Sequence, residues 1–262
     1  MNADDQARAG ETAGVQAGPP PVAAGSEHAG SAGSHRPQPS GQEPGGSFWD
    51  LLSQSEQTVL HALGQVRAFQ AGDILRTEGE KTNDVLVLTR GWVKVLSVTR
   101  QHREMILALR GPGEIIGELA GLTGYRTATV AAVSPVQALV VTHDKFSLFL
   151  DSSPGADRAY RSTLAHRWYQ AADMLRSRSL DNGTQRLAGL LLDLAARHGT
   201  PAGPATTITI PLSQDEIASL IGTSRATVTR ALHDWRRRDL ITTARHQITI
   251  NDTPALRSLA DR

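Results

Sequence analysis

The chain of 262 residues has no cysteine, and only 4% of it is aromatic. The first absence excludes a disulfide framework and any thiolate-bound zinc or iron–sulfur cluster. No apolar run approaches the roughly 18 residues of a membrane span, and the N-terminus lacks the apolar core of a signal peptide, so the expected location is the cytoplasm with no membrane partner. Net charge is +1, which by itself says nothing about nucleic acid. The nine histidines have no metal-ligand spacing, and His61, His102, His143 and His246 read as surface residues. No Ser/His/Asp or paired-carboxylate arrangement supports catalysis, so an enzyme is not expected.

What is present changes in texture along the chain. Residues 1–47 hold nine glycines and six prolines, and apart from Met1 their only large aliphatics are Val15 and Val22. Such a segment cannot bury enough apolar surface to offset its chain entropy, so a disordered tail is expected. Order should begin at Phe48-Trp49, with a short helical region running to Gly64. From Phe69 to Asp144, short apolar or alternating runs (Asp73–Arg76, Asp84–Leu88, Trp92–Val98, Glu104–Leu109, Ile115-Ile116, Ala128–Val133, Val136–Val141) alternate with Gly- and Pro-bearing breaks. That pattern predicts an antiparallel sandwich or barrel within a domain spanning 48–151.

One interval in this domain does not read as a hairpin. In Gly117-Glu118-Leu119 to Arg126-Thr127-Ala128, the glycines 117, 121 and 124 surround one carboxylate and one guanidinium. Glycine lets a backbone approach an anion, a short helix adds N–H groups, and Arg grips phosphate oxygens through paired donors. A structural loop tied by a Glu118–Arg126 ion pair fits the same residues.

Ser153-Pro154 then caps a helix that can run to about Leu180, on the order of 40 Å at 1.5 Å per residue. Tyr160, Leu164, Trp168, Ala171 and Leu175 lie along one stripe. A helix that outspans a small roll calls for a partner helix, so residues 152–182 are read as a dimerisation helix and hinge. The hinge is placed at Asn182-Gly183, where Asn caps the next helix and Gly relaxes the backbone.

The last domain, 183–252, is organised by Leu212 to Leu240. Ser213 and Glu216 form a capping box that opens a helix with apolar Ile217, Leu220 and Ile221; Gly222-Thr223 break it, and Ser224 opens a second helix. Two short helices about a glycine turn make a helix-turn-helix. In the second helix Val228, Ala231, Leu232 and Trp235 share one side, and Arg225, Ala226, Thr229 and Arg230 share the other. A guanidinium fork can bond O6 and N7 of guanine together, so Arg225 and Arg230 are read as base readers in a major groove; a merely solvated helix face is the alternative. Thr206 to Ile210 reads as a strand, and Leu240 to Ile250 as a hairpin with Arg245 near its tip, which completes a winged helix. Residues 253–262 are left as a C-terminal tail.

The order of glycine-punctuated β-roll, Gly117-Glu118-Leu119-Ala120…Arg126-Thr127-Ala128 cassette, long helix and winged helix-turn-helix resembles the Crp/Fnr family of bacterial transcription regulators. Smaller matches are Glu78-Gly79-Glu80, Arg90-Gly91, Gly113-Glu114 and Gly222-Thr223-Ser224-Arg225. The resemblance implies an α+β fold and a homodimer on a palindromic operator in double-stranded DNA. It also implies contact with RNA polymerase, through the loop 198–204, and a small effector in the roll. Carried over by position, Gly117 and the N–H groups of Thr127 and Ala128 would cradle a cyclic phosphate such as that of cAMP. Arg126 would pair with it, and Glu118 would hold the ribose 2′-OH. Ser213, Gln214, Ser224, Arg225, Thr227, Thr229, Arg230 and Arg245 would meet DNA.

The chain departs from the family in three places. The interval from Glu118 to Arg126 is short, Ala171 and Ala172 stand where a hydroxyl pair would face the purine, and Ala226 replaces the glutamate that reads cytosine. An effector-independent regulator with a degenerate pocket, and a nucleotide-sensing module whose C-terminal helices bind protein, therefore stand beside the ligand-gated regulator.

Overall fold

The computed structural model describes residues 46–98, 104–209 and 211–261. The expected tail lies outside these residues except for Gly46 and Ser47, as do His102 and Ile210. After α1 (Gln54–Leu63), eight strands follow: β1 (Gln65–Phe69), β2 (Ile74–Arg76), β3 (Asp84–Arg90), β4 (Val93–Val98), β5 (Glu104–Arg110), β6 (Ile115–Ile116), β7 (Thr129–Ala132) and β8 (Val136–Thr142). They make two antiparallel sheets, in the orders β1-β8-β3-β6 and β2-β7-β4-β5. The four-residue helix α2 (Ala120–Thr123) sits between β6 and β7.

Strand β3 shows why the roll reads as it does. Val85, Leu86, Val87 and Leu88 are all buried in an unbroken apolar run, because both faces of this strand are covered. Leu86 and Leu88 pack inside the roll with Leu75, Val93 and Val130. Val85 and Val87 pack outward against Phe48, Leu60, Phe146 and Phe149. Those last two belong to α3 (His143–Ser152), which the strand reading of the sequence ended short of. Strand β1 was also missed: four of its five residues are exposed, so it has little alternation to detect.

The long helix α4 (Pro154–Leu180) has 27 residues, and its cap Ser153 accepts from the Ala156 N–H. Helix α5 (Gly183–His198) follows, then a hairpin of β9 (Thr200–Ala202), within the segment 198–204 read as a loop, and β10 (Ala205–Thr209), where a strand was expected from Thr206. Helices α6 (Gln214–Ile221) and α7 (Arg225–Arg237) and strands β11 (Ile241–Ala244) and β12 (Gln247–Ile250) complete the winged helix. The expected tail at 253–262 is corrected: Thr253–Ala260 form helix α8, capped by Asp252, whose Leu256 and Ala260 are buried. Their apolar side chains join the core of this domain beside Leu187 and Leu191 of α5, so the segment gains more by packing than by remaining solvated.

The winged helix rests on the outer face of the roll. Ile106 and Leu109 of β5 share a core with α5, α6 and α7. Lys94 of β4 pairs with Glu216 at 2.8 Å, and the Ile106 N–H donates to Ser219 Oγ at 3.3 Å. Burial by itself would raise the Glu216 carboxyl, but its bonds to Lys94 and Ser213 outweigh burial and hold it below the usual carboxylate range. Beside them Trp92 meets the His198 ring edge-on at 4.6 Å.

Candidate functional site

Among the described residues three charged side chains are buried, Arg76, Glu118 and Arg126, and all three lie at one end of the roll. Burying charge is costly unless it is paired and hydrogen-bonded, so this end is specialised. Gly117, at the end of β6, has φ +82°, and a Cβ there would lie 2.1 Å from an Arg126 guanidinium nitrogen. Only glycine lets the backbone fold over that guanidinium. Leu119 is exposed, and the Thr127–Ala128 step after Arg126 leads into β7.

The Glu118–Arg126 pair considered from the sequence does not form, because each side chain has other partners. Arg126 donates to Thr82 Oγ1 at 2.7 Å, to the Gly117 carbonyl at 3.1 Å and to Asp84. Burial, opposed in part by Asp84, lowers its pKa. Glu118 accepts instead from Arg167 of α4, which also donates to the Ile115 carbonyl. Tyr160, whose ring makes a T-shaped contact with that of Phe146 at 5.7 Å, has its hydroxyl pKa raised by burial and then by Glu118.

The residues the sequence did not nominate are thus Thr82, Asp84, Arg76 and Arg167. Two carried a signal: Arg76 closes an apolar strand and Asp84 opens one, both unusual places for charge in a buried sheet. Arg167, one turn before Ala171, had none. His143 is also corrected: it is half-buried, and a Cβ at Gly121 would collide with its ring, so it supports α2.

On α4 the expected stripe divides. Tyr160 packs on the roll and Leu164 is half-buried, whereas Trp168 is 75% exposed, Leu175 69%, and Ala171 and Ala172 are open. The reading that the stripe packs on its own roll holds for its first turns only.

At Asn182-Gly183 the cap is as expected: Asn182 Oδ1 accepts from the Thr184 and Gln185 N–H groups at 3.0 Å each. Gly183 also has a packing reason to be glycine. It is the first helical residue, and a Cβ there would lie 2.3 Å from Thr223 Oγ1 in the helix-turn-helix turn.

In the winged helix, Ser213 and Glu216 form the capping box of α6, and Gly222 ends it with φ 64°. Ser224 caps α7 by accepting from the Thr227 N–H. Val228, Ala231, Leu232 and Trp235 are buried, which turns Arg225, Ala226, Thr229 and Arg230 outward together. Arg225 pairs loosely with Asp215 at 3.2 Å, and Thr229 donates to Gln214. Arg245 and His246 form the wing's tip, His246 with φ 57°.

With this geometry the comparisons agree. Residues 66–153 match the cyclic nucleotide-binding domain and residues 185–259 the Crp-like helix-turn-helix domain. The chain is 31% identical over 189 residues, 72% of its length and 84% of the relative's, to a CRP-like cAMP-activated global transcriptional regulator of Mycobacterium tuberculosis.

The chain belongs to the Crp/Fnr family.

This Crp/Fnr protein is also 30% identical to the global nitrogen regulator of Synechococcus elongatus, over 73% of its own length and 88% of that chain. Its fold matches FixK2 from Bradyrhizobium japonicum with a TM-score of 0.66 at 17% identity, covering 75% of this chain and 96% of the other. It is a CRP-like transcription regulator with a cyclic nucleotide-binding domain and a helix-turn-helix domain. Among the described residues no helix is long and apolar enough to cross a membrane.

Proposed function

We infer that the protein is a ligand-gated regulator that binds a palindromic operator as a homodimer. The observation that carries this reading is the outward face of α7, where Arg225, Ala226, Thr229 and Arg230 stand together over a buried apolar back. Two guanidinium forks on such a face can each take O6 and N7 of a guanine, while Thr227 would meet a phosphate and Ser213, Gln214, Ser224 and Arg245 would add further contacts to the DNA. The uncovered turns of α4 around Trp168 and Leu175 suit a second copy of the same helix. A two-fold axis along α4 would set the recognition helices about one DNA turn, ~34 Å, apart. Ala226 leaves one cytosine amino group without an acceptor, so the half-site resembles the family's with relaxed preference at one base pair.

For the effector, a cyclic nucleotide fits the Gly117–Arg126 end of the roll. Relatives named as cAMP-activated global regulators support a cyclic nucleotide, while others are named as global nitrogen regulators, so the names alone do not choose the effector. The open alanines 171 and 172 offer a purine no donor or acceptor. One observation favours an effector-independent variant of the same function: Arg126 and Glu118 already have partners inside the protein. Calorimetry against cAMP, cGMP and their relatives, with Arg126→Ala as control, separates the two. Heat that disappears in the control supports gating; operator affinity unchanged by every nucleotide removes gating and leaves DNA binding intact.

A further inference from the structure

The anion end of the roll already contains an anion. Asp84, at the start of β3, stands between two buried arginines: its carboxylate accepts from Arg76 Nε at 2.9 Å, again from an Arg76 terminal nitrogen, and from Arg126. The Arg126 side chain is 3% exposed and Asp84 21%, so the carboxylate reaches water and the guanidinium does not. Through Asp84, Thr82 and the Gly117 carbonyl, each nitrogen of the Arg126 guanidinium has a partner. Three of the five guanidinium N–H donors are taken, and both of its forks include the terminal nitrogen that donates to Asp84, so a phosphate gripped by paired donors competes with Asp84 for that nitrogen. Two guanidiniums share this one carboxylate, and the next carboxylate felt by Arg126 is Glu80, exposed on the loop.

We propose that Asp84 is a built-in competitor for the effector site, holding Arg126 when the site is empty and retreating onto Arg76 when a phosphate arrives. This deepens the effector reading given above and rests on it. Arg76 makes the exchange affordable, because Asp84 released from Arg126 keeps two bonds to its other neighbour instead of becoming an unpaired buried charge. The same arithmetic of charge sets selectivity. With Asp84 retained nearby, the pair of arginines has one positive charge unmatched. That suits the single charge of a cyclic phosphodiester and repels the second charge of a phosphate monoester. Asp84 is thus a specificity-determining residue that favours cyclic nucleotides over open-chain nucleoside monophosphates and inorganic phosphate.

The test is calorimetry of the full chain, wild type beside Asp84→Asn and the double variant Arg76→Leu with Asp84→Ala, against cAMP, cGMP, 5′-AMP and inorganic phosphate. In Asp84→Asn the cyclic nucleotides should bind about tenfold tighter, the worth of one charge-assisted bond no longer competed for, and 5′-AMP should gain more than that. The double variant replaces a buried ion pair by apolar groups, a change folds tolerate well. It should also bind cyclic nucleotides more tightly than wild type, but, with one guanidinium left, it should not gain 5′-AMP. If wild type binds a cyclic nucleotide and neither variant binds it more tightly, the inference is overturned while the effector reading stands. If no version binds any nucleotide, the effector reading fails, and thermal melting in phosphate decides the inference alone. Asp84→Asn stabilised by inorganic phosphate far more than wild type keeps Asp84 as the occupant of an anion site; equal response of the two chains discards it.

Discussion

Replacing Arg167 by Met tests whether the Glu118 carboxylate owes its burial to the long helix. The Glu118 side chain is 7% exposed and Arg167 17%, and the arginine bonds both Glu118 and the Ile115 carbonyl of β6. Removing one partner of a buried pair costs about 3–5 kcal/mol, because the other charge is stranded. Since the arginine still touches water, the expected loss sits at or below the lower end, about 2–3 kcal/mol. The double variant Arg167→Met with Glu118→Gln strands no charge and should return to within about 1 kcal/mol of wild type. Urea unfolding reads both: with a slope of about 2–3 kcal/mol per molar, Arg167→Met should move the midpoint down by about 1 M without changing the slope. A shift below about 0.3 M, or a double variant no better than the single one, would refute the pairing as the reason Glu118 can be buried.

Other outcomes follow from the same geometry. Arg225→Ala and Arg230→Ala should each weaken operator binding by about 1–3 kcal/mol and relax selection at one guanine, which binding-site selection on the variants would display. Trp168→Glu with Leu175→Glu should yield a monomer in light scattering, since both residues are exposed in the single chain and have no folding role to lose. His198 is held below its usual pKa by burial and then by Arg197, so the unfolded chain takes up its proton first as pH falls. That stabilisation is complete above about pH 6.5 and fades below it, at no more than about 1.4 kcal/mol per pH unit. Melting temperatures between pH 7.5 and 5 should therefore fall less steeply in His198→Asn. Arg186→Lys keeps a charge but loses the fork that bonds Ile221 and Gly222 carbonyls at 2.7 and 3.0 Å, and should reduce the effector's influence on operator affinity more than it reduces affinity itself.

Much of the fold was legible because its signals are local. The cap at Asn182, the capping box at Ser213, the glycine after Ile221 and the two-sided burial of α7 are each written within a few residues. The unbroken run of β3 was equally plain. Strand β1 was not, since its side chains mostly face water and its pairing to β8 is fixed by partners 67 or more residues away. Helix α8 was missed because eight residues after a strand carry too little pattern to separate a helix from a tail, and only α5 gives it a surface to cover. At the effector end the cassette Gly117 to Ala128 could be read, but its partners could not. Thr82, Asp84 and Arg167 lie 44, 42 and 49 residues from the groups they bond, and no spacing rule spans such separations.

Two routes of contact join the Glu118 end of the roll to α6, and they meet opposite ends of that helix. One runs through Arg167 into α4, whose C-cap is Asp181; Arg186 bonds the Asp181 carbonyl together with those of Ile221 and Gly222, so one guanidinium joins the C-terminal ends of α4 and α6. A cation at two negative helix ends is stabilised by both dipoles, which makes this joint stiff. The other route runs from β4 through Lys94 to Glu216 at the N-terminal end of α6. Glu216 also closes the capping box with Ser213, so losing Lys94 leaves α6 intact and only its hold on the roll weakened. On the gating reading, the joint at Arg186 would be the pivot and the Lys94 contact the release. A shift of α4 driven from Glu118 would swing α6, and α7 with it, about the Arg186 end once the Lys94 end lets go.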